Sequence, residues 1–574
     1  MLLFVKYQDY LKKILPVQYL CVMKERIVRK APVNKRVFYL CIQVAINGVI
    51  IGVLAKGLVY LIEFITNLAF YGRLSFEPAS PADNHLGLLV MLVPIFGAIL
   101  VGFMARYGSR AIGGHGIPEA MEKIILEDSR IPPAMTFLKP LSAAISIGTG
   151  GPFGAEGPII ATGGAFGSLT GQWMHIASGE RKIVLAAGAC AGMAAIFGSP
   201  LAAVLLAVEL LLFEFSPRSI IPVAIGCITG AGMHILLFGT APVFSMPDIP
   251  VPSDSALAAY VVLGLIVGVV AAGVSRSIYA IEDLFEKLPI HWMWWPAIGA
   301  IAIGVVGYFA PHTMGVGYDN IQYLLTGSWS MRILFSLCVL KYISWAISLG
   351  SGTSGGTLAP LFTIGGGLGA LLGMGAAHLF PSLGINPATA ALAGMAAMFS
   401  GASRAVLTSV VFALETTGQS HGLLPVLGAS VAAYFVSFFL MEGSIMTEKI
   451  KRRGVNAPDA YEPDVLQGAT VKQLMTPVIA SGAAGLPYVY LSDDLGLAAE
   501  MMGRYNTETL LVRDNQESDK PVGIVTSAAI LGYYSQQKLK EHVYHSPGRT
   551  KRILVQGRKL LQEPLERLKD RYNL

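Results

Sequence analysis

Charge is scarce in this chain: Asp, Glu, Lys and Arg make up 14% of its 574 residues, against roughly a quarter in a soluble globular protein. An ordinary water-soluble fold is excluded, because so few charges over such a length leave most of the surface without water to face. Cysteine is sparse too. Cys21, Cys41, Cys190, Cys227 and Cys338 form no C-x-x-C pair, and no histidine cluster stands beside them, so neither a disulfide framework nor structural zinc is expected. Lys and Arg are missing altogether from Ser219 to Ser275. No Gly-Lys-Ser/Thr follows any glycine-rich break, which excludes a P-loop. No catalytic constellation is visible, so the chain does not read as an enzyme.

What is abundant is apolar. Hydrophobic residues make up 53%, with 64 glycines, 21 methionines and a mean hydropathy of +0.59. Apolar segments run over about 37–70, 86–104, 135–150, 159–174, 183–213 and 220–238, and resume at Leu257. The fold class is therefore an all-α polytopic membrane protein. Several segments are too short or too glycine-broken for a simple span, and broken helices survive in a bilayer only where protein or a watery cavity surrounds the opened backbone. Nine cations, Lys6, Lys12, Lys13, Lys24, Arg26, Arg29, Lys30, Lys35 and Arg36, precede the first span. By the positive-inside rule they place the N-terminus in the cytoplasm; a cleavable signal peptide is not expected, nor is nucleic acid as a partner.

The sequence matches itself. Pro94-Ile-Phe-Gly97 aligns with Pro296-Ala-Ile-Gly299, Gly163-Gly-Ala-Phe-Gly167 with Gly365-Gly-Gly-Leu-Gly369, and Ala191-Gly-Met-Ala-Ala-Ile-Phe197 with Ala393-Gly-Met-Ala-Ala-Met-Phe399, all at an offset of 202. Two halves of one ancestry follow. The cation-free stretch around the Pro-rich linker reads as exterior, so the halves are expected to be inverted relative to each other. The chain divides into a basic segment (1–36), membrane repeat 1 (37–240), a linker (241–256), membrane repeat 2 (257–453), a second linker (454–470), a small α/β module (471–535) and a basic tail (536–574). In the module, a helix over Asp493–Tyr505 and strands at Thr509–Arg513 and Val522–Val525 are predicted.

Three glycine-rich breaks lead into apolar helices: Gly113-Gly-His-Gly-Ile-Pro118, Gly151-Pro-Phe-Gly-Ala-Glu-Gly-Pro158 and Gly352-Thr-Ser-Gly-Gly-Thr-Leu-Ala-Pro360. Proline in a first helical turn sacrifices no hydrogen bond, and the glycines expose amide N–H groups. Such helix starts attract anions without a full counter-charge that would hold the ion too tightly. Packing glycine is the plainer reading of one break; three, with Pro158 and Pro360 at the repeat offset, favour a site. Glu156 lies inside the second break. A lone carboxylate at membrane depth is expensive, and against helix starts it would occupy an anion site itself until protonation released it.

These residues resemble the CLC chloride channels and chloride/proton antiporters over roughly Val37 to Arg453. G-H-G-I-P at Gly114 to Pro118 is similar to that family's G-S-G-I-P, G-A-E-G-P at Gly154 to Pro158 to G-R/K-E-G-P, and G-T-L-A-P at Gly356 to Pro360 to G-x-F-x-P. The resemblance implies inverted repeats, cytoplasmic termini, a bacterial inner (cell) membrane location and a homodimer with one pore per subunit, surrounded by lipid. It implies Glu156 as the gating glutamate. Gly114, His115, Gly116, Ile117, Gly154, Ala155, Gly157, Thr357, Leu358 and Met446 fall at anion-binding positions. Chloride or a related small anion would be the bound species, with no cofactor. The module at Val471 to Tyr534 looks like a single CBS motif; the aspartate that commonly binds ribose falls at Ala529, so nucleotide is not expected there.

The departures matter as well. Leu210 stands where antiporters of the family place an internal proton-transfer glutamate, leaving Glu209 and Glu214 as proton-pathway candidates. Glu209 has a repeat partner in Glu415, which favours a structural role for both. His115 replaces a serine hydroxyl, Met446 a pore tyrosine and Ala155 a basic residue. Passive chloride conduction gated by Glu156 is the expected function. Chloride/proton antiport by the same fold is the alternative, and a membrane sensor with the module as output is a second.

Overall fold

Glycine and proline set where the apolar segments become helices and where those helices stop. The computed structural model describes residues 35–126, 128–327, 329–452, 466, 469–477, 487–514 and 521–544. The basic N-terminal cluster before Lys35, most of the 454–470 linker and the tail beyond residue 544 lie outside these. Two units divide at Asp459/Ala460.

In the first unit, one series of helices comprises α1 (Lys35–Thr66), α2 (Leu92–Tyr107), α3 (Ile117–Leu126), α4 (Met135–Gly148), α5 (Glu156–Trp173), α6 (Ser178–Phe197), α7 (Pro200–Leu212) and α8 (Pro217–Phe238). The second comprises α9 (Asp254–Glu286), α10 (Trp295–Phe309), α11 (Tyr318–Leu325), α12 (Met331–Gly350), α13 (Leu358–Leu379), α14 (Pro387–Ser403), α15 (Val406–Thr417) and α16 (Leu423–Leu440). A short α17 (Glu448–Arg452) follows. The repeat offset survives to the residue, since α4 ends at Gly148 and α12 at Gly350, while α5 starts at Glu156 and α13 at Leu358. Among the described residues, eight helices are long and apolar enough to cross a membrane. Apolar side chains such as Phe38, Phe96, Leu236 and Phe309 stand exposed around the outside, as lipid contact requires.

The stretch read as one apolar segment over 183–213 is two helices. Gly198 adopts φ +60° and closes α6, and Pro200 opens α7; a left-handed glycine followed by proline is a helix stop and a helix start in succession.

The two halves are related by a two-fold axis, and the backbone shows it. Gly154 and Gly356, 202 residues apart, form an antiparallel bridge in which each N–H donates to the other's carbonyl, at 3.4 and 3.0 Å. An antiparallel pair is symmetric about a two-fold axis, so equivalent residues of the two repeats meet here on the axis that relates the halves. Glu209 and Glu415 follow the same rule. The Glu209 carboxylate accepts the N–H groups of Leu407 and Thr408 at the start of α15, and Glu415 accepts those of Leu201 and Ala202 at the start of α7. Each helix thus caps its partner's unsatisfied N–H groups.

Small residues bring the inner helices together. A Cβ on Gly163 of α5 would come within 2.3 Å of the Gly188 carbonyl of α6, and on Gly365 of α13 within 2.5 Å of the Gly394 carbonyl of α14. Backbones this close are the membrane substitute for hydrophobic association. The Pro-rich segment between the halves is more than a linker. Phe244 is fully buried, packs its ring against Phe197 and Tyr318, and donates its N–H to the Thr416 carbonyl.

The second unit holds β1 (Thr476–Pro477), β2 (Tyr488–Tyr490), α18 (Leu495–Tyr505), β3 (Thr509–Arg513), β4 (Pro521–Thr526) and α19 (Ser527–Tyr544). The sheet order is β1-β4-β3-β2, with β2–β3 parallel and the other pairs antiparallel. Val489, Leu510, Val512 and Val525 supply its buried core. Asp494 caps α18 by accepting the Leu497 N–H at 2.8 Å, one residue inside the predicted start.

Candidate anion site

The three glycine-rich breaks meet. Gly114 donates its N–H to the Thr353 carbonyl at 3.2 Å, and its own carbonyl accepts from Gly355 at 3.4 Å. With the Gly154–Gly356 bridge, the third break therefore pairs with both others. No side chain fits between them: a Cβ at Gly157 would sit 2.2 Å from the His115 carbonyl, and one at Gly116 2.2 Å from that of Gly157. Gly114 and Gly116 also adopt φ +98° and +96°, which only glycine tolerates readily. Pro118, Pro158 and Pro360 lie in the first turns of α3, α5 and α13. Gly114, His115, Gly116, Ile117, Gly154, Ala155, Glu156, Gly157, Thr357 and Leu358 are thus brought to one buried junction.

At this junction lies the Glu156 side chain. The residue has no solvent exposure. Its Oε1 accepts the Ala359 N–H at 2.5 Å and its Oε2 the Tyr318 hydroxyl at 3.2 Å. The carboxylate therefore occupies the N-terminus of α13, where unpaired amides and the helix dipole favour negative charge. Gly154 lies so close that a Cβ there would meet both carboxylate oxygens at 2.0 Å.

Several polar residues of the junction lie outside the sequence-derived set. Tyr318 opens α11, and its ring packs on Phe197 and Phe244. Lys139 and Lys341 are buried, 202 residues apart. Lys139 Nζ donates to the carbonyls of Ile112 and Gly114 at 2.7 and 3.0 Å, and Lys341 Nζ to that of Thr313 at 3.2 Å. Each lysine underpins the turn before a short helix, satisfying carbonyls that the break leaves open. Their signal in the sequence is the repeat itself, because two lysines inside apolar segments share its offset. Tyr318 follows Gly315-Val-Gly317, the repeat counterpart of Gly113-Gly-His115.

Other candidate residues are engaged as follows. Met446 is fully buried and its N–H is bound by Ser444 Oγ at 3.2 Å; its thioether brings no strong donor to an anion. Glu209 is engaged at α15, where Thr408 Oγ1 adds a third hydrogen bond at 2.6 Å. Glu214 is partly exposed and faces Lys182 at 3.7 Å. Leu210 is buried.

Inverted halves, broken helices meeting at a glycine junction, and a carboxylate seated on a helix start define an integral membrane protein with a buried junction of helix starts at its centre. Residues 96–438 match the family described as voltage gated chloride channel, and the chain belongs to that family. It is similar to the H(+)/Cl(-) exchange transporter ClcA of Yersinia pseudotuberculosis serotype IB (strain PB1/+), at 30% identity over 73% of this chain and 90% of the relative. It is also similar to that of Salmonella arizonae (strain ATCC BAA-731 / CDC346-86 / RSK2980), at 30% over 64% and 81%. A slow cyanobacterial Cl-/H+ antiporter shares the fold at TM-score 0.65 and 24% identity, covering 72% of this chain and 97% of that one. A CLC-type fluoride/proton antiporter does so at TM-score 0.57 and 23%, covering 70% and 96%.

Proposed function

We propose that this protein exchanges chloride for protons across a bacterial inner membrane, with Glu156 as the group both ions use. The observation that carries the reading is the Glu156 carboxylate seated on the Ala359 N–H at the start of α13. Chloride and an ionised Glu156 compete for one set of amides. Protonation cancels the charge that holds the side chain there, so chloride occupies the site when a proton occupies the glutamate. One residue then couples the two movements.

Passive conduction is the reading that Leu210 suggests. The resemblance to two exchange transporters, over most of their length, favours coupling instead. Neither Glu209, held by three hydrogen bonds to α15, nor Glu214, facing Lys182, is free to replace the missing glutamate in its present conformation.

The test is purified protein in liposomes under a steep chloride gradient, with chloride efflux and external pH recorded together. Uphill proton movement that vanishes in Glu156→Gln, while chloride flux continues, is expected. Chloride flux without proton movement in the unmodified protein would return the passive reading, and no anion flux at all would leave the sensor alternative.

A further inference from the structure

A cavity of about 480 Å³ opens beside the start of α3, bordered by Gly114, His115, Glu119, Glu282, Ser351 and Lys449 among others. At its boundary a second carboxylate sits on a helix start. Glu119 Oε2 accepts the Gly116 N–H at 2.6 Å, and Oε1 pairs with Lys449 Nζ at 3.1 Å. The fit leaves no spare room, as a Cβ on Gly114 would meet Glu119 Oε1 at 2.0 Å.

A glutamate bonding back to an N–H three residues earlier is an ordinary helix cap. Two observations exceed that role. The carboxylate is latched by a lysine 330 residues away, on α17, close to the boundary of the membrane unit. Beside it, His115 is 94% buried (6% exposed) and borders the cavity, and its Nδ1 has no hydrogen-bond partner. An imidazole nitrogen held out of water without a partner forfeits a hydrogen bond. A small anion at the Gly116 N–H would fill the place of the carboxylate and give the neutral His115 ring, in its Nδ1–H tautomer, an acceptor.

We infer that Glu119 is a second tethered anion, which competes with the transported anion for the start of α3 and is held in position by Lys449. This rests on the transport reading above and adds a second control point on the same path. With Glu119 seated, the cavity ends on a carboxylate that repels a small monovalent anion. When Glu119 swings out, Gly116 N–H and His115 become available to that anion. Because Lys449 lies on α17, displacement of that helix is the motion that would unseat the carboxylate.

The test is the chloride dependence of flux in liposomes, read as the half-saturating concentration on the cavity side, with chloride titration calorimetry of the detergent-solubilised protein beside it. Glu119→Gln keeps an acceptor for the Gly116 N–H but removes the competing charge. It is expected to lower the half-saturating chloride by about two- to tenfold, the range of a charge interaction at a helix terminus. Lys449→Gln removes the latch that keeps Glu119 on the Gly116 N–H, and is expected to lower it as well, by a smaller factor because the carboxylate keeps its charge. Glu119→Gln within twofold of the unmodified protein, or Lys449→Gln raising the half-saturating chloride, would overturn the inference while leaving the transport reading intact. An unmodified protein that passes and binds no chloride would overturn the transport reading first, and this inference with it.

Discussion

At the residue scale, Gly154 and Gly157 separate two kinds of glycine requirement. The nearest atoms to a Cβ at Gly154 all belong to the Glu156 carboxyl group, whereas at Gly157 they are the His115 carbonyl and the Gly356 backbone. A side chain can move; packed backbone cannot without distorting the junction. Gly154→Ala is therefore expected to fold and to displace Glu156, giving chloride flux that depends less on pH, the outcome also expected of Glu156→Gln. Gly157→Ala is expected to yield little folded protein, seen as loss of a monodisperse peak on size exclusion in detergent. Equal behaviour of the two variants would show that the carboxylate is not what Gly154 makes room for. Glu156 was legible in the sequence because a carboxylate stood in a glycine-rich break at a helix start. Tyr318 was not: nothing along the chain links it to Glu156, 162 residues away, until the start of α11 meets the start of α5. The linker residue Phe244 escaped notice for the same reason, since its composition is that of a turn and its burial comes from the aromatic rings it meets.

At the element scale, the exchange of caps between α7 and α15 accounts for Glu209 and Glu415 without any transport role. Each carboxylate satisfies two N–H groups of the opposing helix. Glu209→Ala leaves those of Leu407 and Thr408 unpaired. A lost helix cap costs about 0.5–2 kcal/mol, so a lower thermal midpoint in detergent is expected, with the proton-to-chloride ratio unchanged. A changed ratio at unaltered stability would instead put Glu209 on the proton path. The repeat made the equivalence of the two glutamates visible in the sequence. That they reach across to each other's helix starts depends on the antiparallel approach of two elements about two hundred residues apart, which no local pattern encodes. The broken helices show the same division: the Gly198–Ser199–Pro200 break is written locally, but the long apolar stretch around it conceals that it separates two elements.

At the scale of the whole molecule, inversion of the halves predicts sidedness. Ser253, between α8 and α9, and Glu442, just after α16, are both exposed and flank the second repeat. With the native cysteines replaced, Ser253→Cys is expected to react with an impermeant thiol reagent added outside cells, and Glu442→Cys only after the membrane is opened. Labelling of both from one side would contradict an odd number of crossings in the second half. The membrane class, the two repeats and the three breaks were all set by composition and spacing, because hydropathy and glycine placement act locally and repeat along the chain. The inverted relation was inferable from the cation-free stretch, and the two-fold relation of the halves became geometric in the Gly154–Gly356 pair. The convergence of the breaks, the buried lysines beneath them and the seats of Glu156 and Glu119 emerged only with the tertiary fold. A helix start becomes an anion site through what closes around it, and the residues that close around these lie up to 330 positions away in the chain.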